Sequence, residues 1–115
     1  MNRFVPIQYR DFWDVPRIFL VDHKGHLFLF DCPFDDVVED YATEYRIYVL
    51  PTLDPTELTG SWAGLSKKAE RFLRKVPIGR VCFDPSKRKE MDSELLEELV
   101  LQVSKPKQAI GLSSL

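Results

Sequence analysis

A chain of 115 residues that is 44% apolar and 12% aromatic is one domain with a modest core, too apolar to be disordered. No run approaches the ~20 apolar residues of a membrane-spanning helix, and the opening MNRFVPIQYR lacks a basic region followed by an apolar block, so a cytoplasmic protein without a membrane partner is expected. The net charge of −2 hides an imbalance: residues 1–60 carry five Lys/Arg against eleven Asp/Glu, and residues 61–115 carry eleven against seven. Halves charged −6 and +4 in this way are expected to attract each other, within one chain or across a dimer.

Phe4 to Trp13 alternates imperfectly, and Pro6 has no N–H to give to a ladder, so this stretch is predicted to be at best an edge strand. Pro16 holds Val15 extended, which suits a strand entrance. Two apolar runs follow, Arg17 to Asp22 and His26 to Asp31, rich in β-branched and aromatic residues and too short for independent helices. They predict a β-hairpin. Between them Asp22-His23-Lys24-Gly25 offers an Asp for the first position of a type I turn and a Gly for positive φ, the chemistry of a hairpin closed by a glycine bulge. Alternation then sends Ile18, Leu20, Leu27 and Leu29 to one side and Phe19, Val21, Phe28, Phe30 and Cys32 to the other. Both sides are apolar, so later segments must cover both.

Cys32-Pro33 ends the second run. In the acidic segment Asp35 to Glu44, Tyr41 follows Val37 and Val38 at helical spacing, which predicts a short helix or helical turn. Tyr45 to Leu50 predicts a third core strand, with Tyr45, Ile47 and Val49 on one face and Arg46, Tyr48 and Leu50 on the other. Pro51 to Gly60 reads as a loop. Trp62, Leu65, Ala69, Phe72, Leu73 and Val76 recur at the spacing of one helical stripe and predict a helix over 61–75, stopped by Pro77. Ile78 to Phe83 predicts a further strand. A last helix is expected to begin near Asp92-Ser93-Glu94, whose oxygens can satisfy free N–H groups, with Leu95, Leu96, Leu99, Val100 and Val103 as an apolar face that needs a partner surface. The domain is expected to span 1–103, with 104–115 a loosely held tail. Without βαβ alternation, this order predicts an α+β fold built on a mainly antiparallel sheet of four or five strands with one or two helices.

The stretches YRDFWDVPRIFLV, EYRIYVLP and GRVCFDPSKRKEMD, with the hairpin between the first two, resemble a group of small cyanobacterial proteins of PC4-like and Whirly-like fold. The resemblance covers Tyr9 to Val103. It implies four strands and a helix that is swapped between the two chains of a homodimer, in the manner of single-strand DNA-binding regulators, with Leu95, Leu96, Leu99, Val100 and Val103 at the dimer interface. The 61–75 helix is an addition to that minimal unit, and a shared fold does not by itself carry DNA binding with it.

The stretch 67–89 holds nine basic residues, Lys67, Lys68, Arg71, Arg74, Lys75, Arg80, Lys87, Arg88 and Lys89, against Glu70 and Asp84. Such residues can contact phosphates while exposed aromatics such as Tyr48 or Trp62 stack on bases. The plainer account is a solvated face that answers the acidic segment, in keeping with the acidic protein as a whole. Asp31, Asp35, Asp36, Glu39, Asp40 and Glu44 are the carboxylates a divalent cation would need, but they lack the spacing of an EF-hand loop. His23 and His26 read as turn residues, and Cys32 and Cys82 as buried free thiols with no Cys-x-x-Cys spacing. No Gly-x-Ser-x-Gly elbow or phosphate-cradling glycine loop is present. The aromatic content exceeds what a small core uses, so interface roles compete evenly with packing. These residues predict a non-catalytic binding or regulatory module without a cofactor, acting through protein contacts as a homodimer. Single-stranded nucleic-acid binding through 67–89 is the alternative, and a metal-assisted hydrolase using residues 31–44 the third.

Overall fold

A computed structural model describes residues 4–12, 15–35, 37, 39–59, 62, 64–84 and 89–104. In chain order its elements are β1 (Phe4–Pro6), β2 (Gln8–Phe12), β3 (Pro16–His23), β4 (His26–Asp31), β5 (Phe34–Asp35), β6 (Asp40–Tyr41), β7 (Glu44–Leu50), β8 (Arg71–Pro77), β9 (Glu90–Asp92) and α1 (Ser93–Ser104). Strands β2, β3, β4, β7 and β8 form one antiparallel sheet in that order, and the β5–β6 ladder projects between β4 and β7 as a small arm. A separate ladder pairs β1 with β9. The fold is α+β with an antiparallel sheet of five strands. Among the described residues no helix is long and apolar enough to cross a membrane.

The central hairpin forms where the apolar runs place it, but its turn differs. His23 pairs with His26, so the loop is Lys24-Gly25 alone, with φ of 52° and 82°. Two positive φ values in a two-residue loop match the twist of the flanking strands. Asp22 is therefore a strand residue opposite Leu27 rather than the first residue of the turn.

Alternation along the hairpin and β7 sorts the core into two clusters, as the side-chain pattern predicts. Phe19, Val21, Phe28, Phe30, Cys32, Tyr45, Ile47 and Val49 are buried on one face, under Leu95, Leu96 and Leu99 of α1 together with Val81 and Met91. Ile18, Leu20, Leu29 and Leu50 are buried on the other face, under Trp62 and Leu65, with Leu53 and Leu58 packed alongside. We call these the helix face and the loop face. On the helix face the Phe19 and Phe30 rings stack at 4.5 Å, and Tyr45 meets them edge-on at 5.4 and 5.8 Å. The Tyr45 hydroxyl donates to the Pro16 carbonyl at 2.6 Å, which satisfies the one polar atom the ring carries into the core.

The helix predicted over 61–75 does not form. Leu65–Lys68 makes a single 3-10 turn, and β8 occupies Arg71–Pro77. A register shift opposite Ile47/Tyr48 inserts Leu73 as a bulge, so Leu73 and Val76 both reach the helix-face cluster although they lie three apart. A bulge that breaks the period of two imitates helical spacing. Trp62, Leu65 and Ala69, the earlier part of that stripe, cover the loop face instead.

Three further segments bear on what the sequence predicts. In the acidic segment Phe34–Asp35 pairs with Asp40–Tyr41 as a two-stranded ladder, with Val37 and Glu39 in the turn between them; Asp36 and Val38, on which the predicted helical turn also falls, lie outside the described residues. Ile78–Arg80 is a 3-10 turn, and only Phe83 bridges, to Met91, so no strand runs over 78–83 and Cys82 is exposed while Cys32 is buried. The apolar face of α1 finds its surface within its own chain. Leu95, Leu96 and Leu99 are buried on the sheet, and Val100 and Val103 pack half-buried against the same cluster. The helix begins as its sequence predicts, with the Glu94 N–H donating to Asp92 Oδ1 at 2.8 Å.

Candidate functional site

Of the nine basic residues of 67–89, the fold engages four. Arg71 Nη2 donates to the Gln102 carbonyl at 2.9 Å, Arg74 reaches both Gln102 Oε1 and Glu98, and Arg80 pairs with the other oxygen of Glu98. Lys68 pairs with Glu57 at 3.0 Å. The partners of these cations are therefore α1 and the 3-10 turn Pro55–Leu58, not the acidic segment. Lys67, Lys75 and Lys89 are exposed and have no ion-pair partner among the described residues. Lys87 and Arg88 lie outside the described residues. Trp62 is buried, its indole N–H donating to the Leu58 carbonyl at 2.9 Å, and Arg10 stacks over its ring at 4.4 Å, so Trp62 is not available to stack on a base.

The register of the sheet gathers a different set on the loop face. One row runs Arg10, Ile18, Asp31, Arg46, Lys75, and the next runs Gln8, Leu20, Leu29, Tyr48, Phe72. At the β7–β8 corner of these rows the Tyr48 and Phe72 rings meet edge-on at 5.4 Å, and Phe72 is 48% exposed beside the exposed Arg46 and Lys75. Burial pushes the Asp31 carboxyl above its ordinary value of 3.8, and the Arg46 guanidinium draws it partly back. Sequence reasoning put Lys75 on a helix with Lys67, Lys68, Arg71 and Arg74. It could not pair Lys75 with Arg46, because that pairing depends on the strand register.

At the opposite end of the same face, a half-open cavity of about 530 Å³ lies between the sheet and the loop after β7. Leu20, Leu27 and Leu50 line its sheet side and Leu53 and Leu58 its loop side, while the bend at Pro6–Gln8 closes one flank. Asp22 also lines it. No sequence motif marked this site; the signal that could have found it is the symmetric placement of His23 and His26 about Lys24-Gly25, which makes Asp22 a strand residue.

The other candidates take structural roles. His23 Nε2 and Lys24 Nζ each sit 2.7 Å from a carboxylate oxygen of Glu97, tying the hairpin tip to α1, and these two groups, Lys24 foremost, hold the Glu97 carboxyl below its ordinary value. Cys32 Sγ lies 3.3 Å from Nη1 of the buried Arg17 and 3.0 Å from the Ala42 carbonyl. Among the described residues no group of three or more His, Cys, Asp or Glu side chains converges as a metal site; Asp36 lies outside them. On the arm, Phe34 is 52% and Val37 91% exposed.

Comparison with known proteins finds no matching protein-family model, no matching curated protein and no matching solved structure.

Proposed function

We propose that this protein is a non-catalytic binding module that acts through protein–protein contacts as a homodimer. The acidic arm of each copy, β5–β6, seats on the β7–β8 corner of the other. The observation that carries this reading is a pair of unlike exposed patches: Phe34 and Val37 on an arm that also carries the exposed Glu39 and Asp40, and Phe72 beside the exposed Arg46 and Lys75. Apolar groups ringed by opposite charges are complementary, and a mutual exchange of this kind closes with twofold symmetry. This interface does not draw on Leu95, Leu96 and Leu99 of α1, which are buried against the sheet of their own chain.

Sedimentation velocity tests this reading. A species of twice the chain mass is expected at low salt, with Val37→Asp and Lys75→Glu each shifting it to monomer while circular dichroism stays unchanged. A wild-type chain that remains monomeric at its highest soluble concentration would remove the proposal.

A second reading places single-stranded nucleic acid on the same corner. It is favoured by the Tyr48–Phe72 ring pair next to two cations, the combination of stacking surface and phosphate charge that such ligands use. Fluorescence anisotropy with a labelled oligothymidine separates the two. Under this reading binding weakens with salt, falls with Phe72→Ala and is indifferent to Val37→Asp.

A further inference from the structure

The cavity at the hairpin end of the loop face belongs to neither surface used above, and we infer that it is a binding site for an aliphatic ammonium group. Its volume of about 530 Å³ falls within the range of small-molecule sites. The sheet side is leucine, the loop side is leucine, and the polar groups are few: Gln8, Thr52 and Asp22. Asp22 is the one charged residue among those lining the cavity.

The fold leaves that carboxylate unanswered. Asp22 is exposed and makes no ion pair with any described residue. Its neighbours in sequence, His23 and Lys24, are turned to Glu97 on the helix side of the hairpin. In the register Asp22 stands opposite Leu27, which itself stands opposite Leu50, so the carboxylate ends a row of leucines on one face. An apolar trough with a single negative group at one end fits a hydrocarbon chain ending in a cation. It disfavours anions, which would meet Asp22, and gives neutral chains no charged partner. Two sources share this chemistry: a free alkylamine, and the lysine side chain of a peptide, which carries the same stem and head group.

Methyl NMR of the full chain decides the matter. Titration with n-hexylamine is expected to give saturable shifts at the methyls of Leu20, Leu27, Leu50, Leu53 and Leu58, with binding about five- to tenfold tighter than that of 1-hexanol. Asp22→Asn should bring the two ligands to equal affinity, and Leu53→Trp, which fills the cavity from a loop and leaves the sheet intact, should abolish both. An acetylated and amidated Leu-Lys-Leu peptide identifies the source: tighter binding than hexylamine assigns the site to a lysine side chain, and binding of hexylamine alone assigns it to a free amine. Absence of saturable shifts at these methyls, equal affinity of the wild type for hexylamine and hexanol, a preference that survives Asp22→Asn, or binding that survives Leu53→Trp would each overturn the inference.

Discussion

The two faces of the sheet are made from the same strands, yet they are covered in different ways. The helix face lies under a continuous helix of three buried leucines whose flanks are tied down by Glu97 to the hairpin tip and by Glu98 and Gln102 to β8 and Arg80. The loop face lies under Leu58 and Leu65 of two 3-10 turns, Leu53 of a loop and one tryptophan, and it carries both the cavity and the Tyr48–Phe72 corner. A helix satisfies its own backbone and presents side chains at fixed intervals, so it can seal a sheet without gaps. An irregular cover leaves concavities. The helix thus closes one side of the sheet, while the cover of the other side leaves a cavity.

Substitutions can break or sharpen this contrast. The largest effect is expected from Leu99→Asp, which places an unpaired charge where Leu99 is fully buried: a loss of more than about 4 kcal/mol, seen as an unfolded chain in urea denaturation. Leu65→Asp makes the same change under the loop face. It should cost only about 1–3 kcal/mol, because a single 3-10 turn can swing toward water; equal losses at the two sites would erase the distinction between the covers. Tyr45→Phe removes the buried hydroxyl bond to the Pro16 carbonyl, at about 1–2 kcal/mol by the same measurement.

The smallest effect is a dependence on pH. The native state holds the Asp31 proton more firmly than the unfolded chain does, because burial disfavours the ionised form. Stability contributed by this residue is therefore highest at and below the ordinary value of 3.8 and declines as pH rises through the raised native value. Asp31→Asn should raise stability at neutral pH by under about 1 kcal/mol, solvent screening at this half-buried position limiting the gain, and the gain should vanish in acid. Glu97, held below its ordinary value by Lys24 and then His23, runs the other way: its contribution is present above 4.5 and is lost as pH falls through the lowered native value. Denaturation midpoints of Asp31→Asn and Glu97→Gln, taken from acid to neutral pH, should diverge from wild type in opposite directions.

Much of the hairpin and of β7 was legible because alternation in a strand is local, and a residue's parity fixes its face once the strand is recognised. That is why Phe19 and Ile18, or Tyr45 and Arg46, could be assigned to opposite sides from sequence. The segment from Trp62 to Val76 misled for an equally physical reason. Its apolar residues serve two different faces, and a bulge at Leu73 restores by geometry a spacing that reads as helical. The strand β9 was hidden because its three residues, Glu90 to Asp92, form their ladder with β1, far away in the chain, and meet the nearby Phe83 by a single bridge. The nine cations were visible as a stretch, but their partners were not.

The sequence alone determined an antiparallel α+β domain with a hairpin apolar on both sides and an amphipathic last helix, since these follow from periodicities within a few residues. Only the tertiary structure decided that this helix covers its own sheet, that Lys75 stands beside Arg46 and that Asp22 faces a cavity. Each of these depends on strand register and on which segment reaches a face first, and such long-range choices are settled by packing among residues that the chain order keeps apart.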